Sequence, residues 1–313
     1  MREEETLMKV LVTGGAGFIG SHIVDELIES GHHVVVLDNL SVGKKRNLTK
    51  NVQIIEQDIR DDLHALFSRE KFDIVIHQAG QVSVPNSLRD PITDLQVNLT
   101  GLLNLLEAAR KHQVRKVIFA STAAVYGMPI ELPIRESHRL KPVSPYGLTK
   151  KTSEEYLRMY HDLYGIDFTI LRYANVYGPR QSSNGESGVV SIFTDSFSRG
   201  ESPIIYGDGS TTRDFVFVKD IARANVLALQ AGDGEIFNVS TGISTSLNEL
   251  YNLFNRLLNG QGAPVYVDSR LGDINHSVLS NSHIMDKLGW VPKTSLTDGI
   301  RETLDWKLQL AIM

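Results

Sequence analysis

A doubly wound parallel α/β sheet with a smaller C-terminal α+β region is the fold class that this 313-residue sequence predicts, on three observations. Short β-branched runs alternate with stretches of helical periodicity, a glycine-rich turn follows the first run, and the rhythm breaks after Tyr173. The runs are "KVLVTG", "HVVVLD", "VQIIEQD", "FDIVIHQAG", "KVIFAST" and "FTILRYANV". Strands separated by helical stretches are joined by crossovers, so they lie parallel. Between the fourth and fifth runs, "VNLTGLLNLLEAARKH" sets Leu99, Leu102, Leu103, Leu106 and Ala109 on one stripe, the face of a helix packed on a sheet.

Past Tyr173, "NVYGPRQSSNGESG" is too long and polar for a tight turn and marks a boundary or a binding loop. "RDFVFVKDIARANVLAL" then reads as a strand feeding a helix, and "EIFNVST" as one more strand that revisits the large sheet. "STSLNELYNLFNRLL" carries a capping box, Ser246 with Glu249, and an apolar stripe through Leu250, Phe254 and Leu257. The expected division is a first domain over residues 8–175, its sheet completed by about 213–240, and a second region over 176–212 and 241–313. Met1 to Leu7 reads as a short tail.

At 42% hydrophobic residues the chain can bury a large core. Its 32 Lys+Arg against 37 Asp+Glu, with no basic run longer than "GKKRN", argues against a nucleic-acid surface. The absence of cysteine removes disulfides, thiolate nucleophiles and cysteine metal sites, and suits a reducing, cytoplasmic setting. The acidic start "MREEETLMKVLVTGG" is expected to be neither a secretion signal nor a membrane span.

In "KVLVTGGAGFIGSHIVDELIESG" a strand ends at Thr13 and a helix starts after Gly14, Gly17 and Gly20. The glycines permit the turn, the approach of a pyrophosphate and close helix packing, while the helix N-terminus offers unpaired N–H groups to the anion. The next strand ends at Asp38, about 20 residues on, where a carboxylate accepts from the adenosine ribose hydroxyls and repels a 2′-phosphate. Together these features predict a Rossmann-type dinucleotide site that prefers NAD to NADP.

Tyr146 and Lys150 in "VSPYGLTKKTSEEYL" stand four residues apart at a helix start, on one face. In isolation such a pair is ordinary surface, as are Lys151, Glu154 and Glu155, which read as a solvated helix face. The wider set of motifs, "TGGAGFIG", "DIRD", "HQAGQVSV", "VNLTGLLNLLEAA", "FASTAAVYG", "YGLTK", "LRYANVYGPRQ" and "RDFVFVKDIA", resembles the extended short-chain dehydrogenases/reductases, from about Lys9 to Trp306. Within them it is similar to the NAD-dependent epimerase/dehydratase family.

The resemblance implies that Tyr146 is the acid/base, Lys150 its electrostatic partner, and Thr122, with Ser121 adjacent, the third member. A free tyrosine has a pKa of about 10, and bringing it near neutrality takes about 4 kcal/mol of phenolate stabilisation. An ammonium beside it supplies such stabilisation. The resemblance also implies cofactor contacts at Phe18, Ile19, Asn39, Asp58, Ile59, Gln78, Ala79, Gly80, Gln81, Asn98 and Tyr173. For Asp58 a helix N-cap remains an equal alternative, and His77 reads as a loop residue because no triad or metal partner follows it.

A UDP-sugar is the implied substrate, held by Asn175, Val189, Tyr206, Arg213, Arg270, Asp273 and Ser277. Two arginines converging on a diphosphate fit bidentate phosphate binding, although each alone is also an ordinary surface ion-pair partner. Dehydratases and decarboxylases of the family carry acids just after the "ST", where this chain has Ala123 and Ala124. That difference implies 4-epimerisation through a transient 4-keto sugar, and the small Ser277 leaves room for N-acetylated hexoses. A UDP-glucuronate 4-epimerase, a decarboxylase and a non-catalytic NAD sensor remain alternatives. Family members commonly form homodimers through the helices carrying "VNLTGLLNLL" and "YGLTK"; no nucleic-acid or membrane partner is expected.

Overall fold

The structure, a computed structural model, describes residues 7–182, 188–258, 260, 263–269 and 274–312. Arg270 and Asp273 lie outside them. The first six strands are β1 (Lys9–Thr13), β2 (His33–Asp38), β3 (Gln53–Glu56), β4 (Ile74–His77), β5 (Lys116–Thr122) and β6 (Asp167–Tyr173). They alternate with α1 (Phe18–Glu29), α2 (His64–Glu70), α3 (Val84–Arg89), α4 (Pro91–Leu95), α5 (Gly101–Lys111) and α6 (Pro145–Tyr164).

Beyond them come β7 (Asn175–Tyr177), β8 (Ile204–Tyr206), β9 (Thr212–Arg213), β10 (Phe215–Phe217), β11 (Glu235–Val239), β12 (Thr245–Ser246) and β13 (Val265–Val267). The helices of this part are α7 (Val189–Ser198), α8 (Val218–Leu227), α9 (Leu247–Leu257), α10 (Ser282–Leu288) and α11 (Leu296–Ile312).

Seven strands form one sheet in the order β11-β6-β5-β4-β1-β2-β3, and every pairing in it is parallel. Because its crossovers put helices on both faces, the strands are nearly continuous apolar runs. One face buries Ile23, Val24 and Leu27 of α1 with Ile221 and Ala224 of α8. The other buries Phe67 of α2, Leu105 and Leu106 of α5 and Leu157 of α6. Each fully buried side chain of this kind contributes about 1.5–3 kcal/mol relative to exposure. A third cluster joins Phe193 and Phe197 of α7, Phe254 of α9 and Leu304 of α11, with the Phe197 and Phe254 rings stacked at 5.4 Å.

Two sequence expectations shift in detail. The segment read as one helix from Val97 opens as a π-helical turn, Gln96–Thr100, before α5. That wider turn takes the 3.6-residue period out of phase, so α5 buries Leu102, Leu105, Leu106, Ala108 and Ala109, while Leu99 and Leu103 are half-buried. The run "FTILRYANV" is also two strands: β6 stays in the sheet, and β7 leaves it to pair in parallel with β10. Among the described residues no helix is long and apolar enough to cross a membrane, and no cluster of His, Cys, Asp and Glu could hold a metal ion.

Candidate active site

The carboxyl ends of β1, β2, β4, β5 and β6 open into one cleft of ≈ 350 Å³, on the side of an open parallel sheet where ligands collect. At its adenosine end the glycine loop has the shape a dinucleotide requires. Gly14 is left-handed (φ 67°), and a Cβ there would meet Ala79 N at 2.6 Å. A Cβ on Gly20 would run into the Gly14 carbonyl, so α1 can pack against the turn only with glycine at that position. Gly17 is the N-cap of α1 and no side chain caps the helix, which leaves its first-turn N–H groups directed at an incoming pyrophosphate. Phe18 and Ile19 line the same wall.

Asp38 closes β2, where Oδ2 accepts from Ala16 N at 3.0 Å and Oδ1 from Leu40 N at 2.8 Å. Burial raises its pKa, and those two N–H donors oppose the rise. Asn39 donates to Asp58 Oδ2 at 2.8 Å. Asp58 is not the N-cap of α2; its Oδ1 takes the Arg60 side chain at 2.8 Å and the Arg60 backbone N–H at 2.9 Å, bonds that hold its pKa well below the usual carboxylate range. Asp58 and Ile59 line the cleft beside Asn39, at the place an adenine edge would occupy. These residues fit NAD: a helix end with uncapped first-turn N–H groups, a carboxylate at the end of β2 that could accept from ribose hydroxyls and a bordered groove lie along one wall.

At the other end, Ser144 caps α6 by accepting from Gly147 N at 3.1 Å, with Pro145 in the first turn. This start sets Tyr146 and Lys150 one turn apart, both lining the cleft with Thr122. The first turn can lie this close because residue 147 is glycine: a Cβ there would meet Ala124 O at 2.7 Å and Pro142 Cβ at 2.9 Å. Thr122 ends β5 opposite Tyr173 of β6, and its Oγ1 accepts from Ala124 N at 3.2 Å.

Lys150 is 3% exposed, donates to Ala120 O at 2.9 Å and lies over the Phe119 ring at 4.7 Å. Burial lowers its pKa to about 8, against the opposing charges of Asp94 and Glu154. His77, the last residue of β4 rather than a loop residue, is buried against Thr13 Oγ1 at 2.7 Å. Burial first and Lys150 second push its pKa down to about 3, so it is neutral. Gln78 reaches Tyr173 OH at 3.0 Å, Ala79 and Gly80 follow along the cleft, and Gln81 N donates to Asn98 Oδ1 at 2.8 Å.

One assignment is refined and one changes here. Ser121 lines the cleft with Thr122, but its hydroxyl donates to the buried carboxylate of Glu154 and so braces this strand end. Glu154 itself is no solvated helix residue. It is 1% exposed and holds the equally buried Arg172 in a two-pronged pair, with Arg172 Nε at 2.9 Å from Oε1. Arg172 extends the network to Tyr126 OH at 2.9 Å, and Tyr126 OH donates to Asn238.

Of the residues expected to hold substrate, Asn175 lines the cleft and Val189 follows the cleft residue Gly188. Arg213 and Ser277 are brought together by Thr212, whose carbonyl accepts from Ser277 N at 3.3 Å and from Arg213 Nη1 at 2.8 Å. Tyr206 ends β8, in register with Val267 of β13. These three do not line the enclosed cleft. Asp94 went unnoticed in the sequence, although it precedes Asn98 by four residues, a spacing that places both on one helix face.

Residues 10–240 match the NAD dependent epimerase/dehydratase family. A putative UDP-glucose 4-epimerase of Methanocaldococcus jannaschii is 46% identical, over 95% of this chain and 97% of its own length. A UDP-glucose 4-epimerase of Thermotoga maritima, solved with UDP-glucose, is 45% identical with a TM-score of 0.95, covering 97% of this chain and all of its own. A UDP-N-acetylglucosamine 4-epimerase of Methanobrevibacter ruminantium, solved with UDP-N-acetylmuramic acid, is 40% identical with a TM-score of 0.93, over 97% and 99%. The chain therefore belongs to the NAD-dependent epimerase/dehydratase family, as an isomerase of the UDP-glucose 4-epimerase-like nucleotide-sugar branch with NAD as its cofactor.

Proposed function

We propose that this chain interconverts UDP-glucose and UDP-galactose by inverting C4 through a 4-keto sugar. The observation that carries the reading is the meeting of Tyr146, Lys150 and Thr122 at the end of a dinucleotide groove, with alanines at 123 and 124 where an eliminating enzyme needs an acid. Bound NAD supplies reversible acceptance of a hydride at C4. Tyr146 removes the proton of the C4 hydroxyl and returns it. Lys150 stabilises the phenolate with its charge and holds the nicotinamide ribose, and Thr122 bonds the same sugar oxygen as Tyr146. The second region is assigned the nucleotide, with Asn175 and Arg213 to hold the diphosphate and Tyr206 the base.

Ser277 is small and half-buried beside β9, which supports acceptance of N-acetylated hexoses, as does similarity to the Methanobrevibacter ruminantium enzyme. Incubated separately with UDP-galactose and UDP-N-acetylgalactosamine, the protein is expected to yield the gluco epimer of each, read by NMR. Turnover of the first sugar without the second removes the wider specificity; turnover of neither removes the function.

A homodimer and a cytoplasmic setting complete the reading, the latter supported by the absence of cysteine. The outer face of α6 exposes Leu148, Met159 and Leu163, and α4 beside it Ile92 and Leu95, an apolar surface of the kind a second copy covers. Light scattering is expected to give twice the 34.8 kDa chain mass, and a monomeric mass at micromolar concentration overturns the dimer.

A further inference from the structure

We propose that Asp94 is a positioning residue for the reaction: it is the buried counter-charge of Lys150 and ties the cofactor loop to the catalytic helix. The proposal deepens the epimerase reading and rests on Lys150 serving Tyr146 as stated above. Asp94 lies in α4, immediately before the π turn, and is fully buried. Its carboxylate accepts from Gln81 Nε2 at 2.7 Å, Thr149 Oγ1 at 2.8 Å and Asn98 Nδ2 at 3.1 Å. The three donors come from three segments: the loop after β4, the first turn of α6 and the π turn. Thr149 adjoins Lys150, and its hydroxyl also bonds Tyr146 O at 3.0 Å, so one side chain joins Asp94 to the turn that carries the catalytic pair.

All three donors are neutral. A carboxylate withdrawn from water is further stabilised by a nearby positive charge, because hydrogen bonds from neutral donors offset only part of its desolvation. Among the described residues Asp94 makes no direct ion pair, whereas Glu154, the other buried acid near Lys150, is taken up by Arg172. The cation left to balance Asp94 is Lys150. The two sides meet across Gly80, where a Cβ would stand 2.8 Å from Asn98 Oδ1 and 3.5 Å from Lys150 Nζ. A side chain at position 80 would enter the space between the amide that Asp94 holds and the ammonium.

The remaining groups around Lys150 are His77 from β4, which is neutral, Ala120 O and the Phe119 ring from β5, Glu154 with Arg172, and Tyr146 one turn earlier. Burial depresses the Lys150 pKa to about 8, and Asp94 leads the charges that resist this. Removing the Asp94 charge lowers that pKa further. The ammonium is then lost at a lower pH, and the alkaline limb of the rate profile moves in the acid direction.

The test is kcat against pH for the holoenzyme with saturating UDP-galactose. Asp94→Asn keeps the size and most bonds, and its alkaline limb is expected about one pH unit below that of the wild type, roughly tenfold slower there. Thr149→Val keeps the charge and cuts the tie to α6; its limb is expected at the wild-type position. A limb in Asp94→Asn that coincides with the wild type, or a loss uniform across pH, overturns the proposal. So does a Thr149→Val limb displaced by about one pH unit from the wild type, an outcome that can be read even where Asp94→Asn does not fold. Lys150→Met separates the two levels: an active Lys150→Met enzyme sinks the epimerase mechanism, whereas an inactive one with an unmoved Asp94→Asn limb sinks only the role of Asp94.

Discussion

Tyr146→Phe is expected to lower kcat for UDP-galactose epimerisation by roughly 10²–10⁴-fold, the range a positioned general acid/base contributes. The substitution removes one oxygen from a ring that lies in the first turn of α6, capped by Ser144 and closed against Ala124 through Gly147. None of those supports involves the phenol oxygen, so the fold and the bound NAD content should stay at wild-type values. Stopped assays by NMR, paired with the absorbance of released cofactor, separate a chemical loss from a binding loss. Wild-type turnover in Tyr146→Phe would take the proton transfer away from this residue altogether.

Glu154→Ala is expected to be the most damaging substitution outside the cleft, at roughly 3–5 kcal/mol of folding stability, because it leaves the guanidinium of Arg172 buried without its anion. Both partners are 1% exposed, and the same carboxylate accepts from Ser121, next to Thr122. At about 2–4 °C per kcal/mol for a large domain, the melting temperature should fall by on the order of 10 °C. Replacing both partners with apolar residues, Glu154→Leu with Arg172→Met, should restore much of the loss, since the cost lies in the stranded charge. A Glu154→Ala protein that melts within a degree of the wild type would contradict the placement of this pair.

Glu154 also illustrates what the sequence could and could not disclose. In "YGLTKKTSEEYL" it sits four residues after Lys150, and such spacing on a helix usually means an exposed ion pair. Its true partner is 18 residues away on the neighbouring strand, and nothing local announces that Arg172 enters the core. The large sheet was legible because a parallel strand buried on both faces must be an unbroken apolar run, and the glycine loop because backbone geometry admits no other residue at Gly14 and Gly20. The break at Ala174 was not legible: Asn175–Tyr177 is as β-branched and aromatic as the strand before it, and only the competing partner Phe215–Phe217 draws it away. The phase of α5 was lost for a different reason, since a π turn has no composition of its own. Asp94 was hidden by tertiary convergence, its three donors lying up to 55 residues from it in the chain.

The last strand of the large sheet has a consequence for how the chain can be divided. Glu235–Val239 is paired along its length with Thr169–Tyr173, yet the whole of Asn175–Phe217 intervenes between them. A polypeptide ending near residue 175 would therefore present Thr169–Tyr173 as a bare, apolar edge with its row of N–H and C=O groups open to any neighbouring chain. The segment proposed to hold the sugar nucleotide is thus an excursion between two adjacent strands, and the large sheet is finished only after that segment has begun. Synthesis, folding and any engineered split of this enzyme have to respect that interleaving.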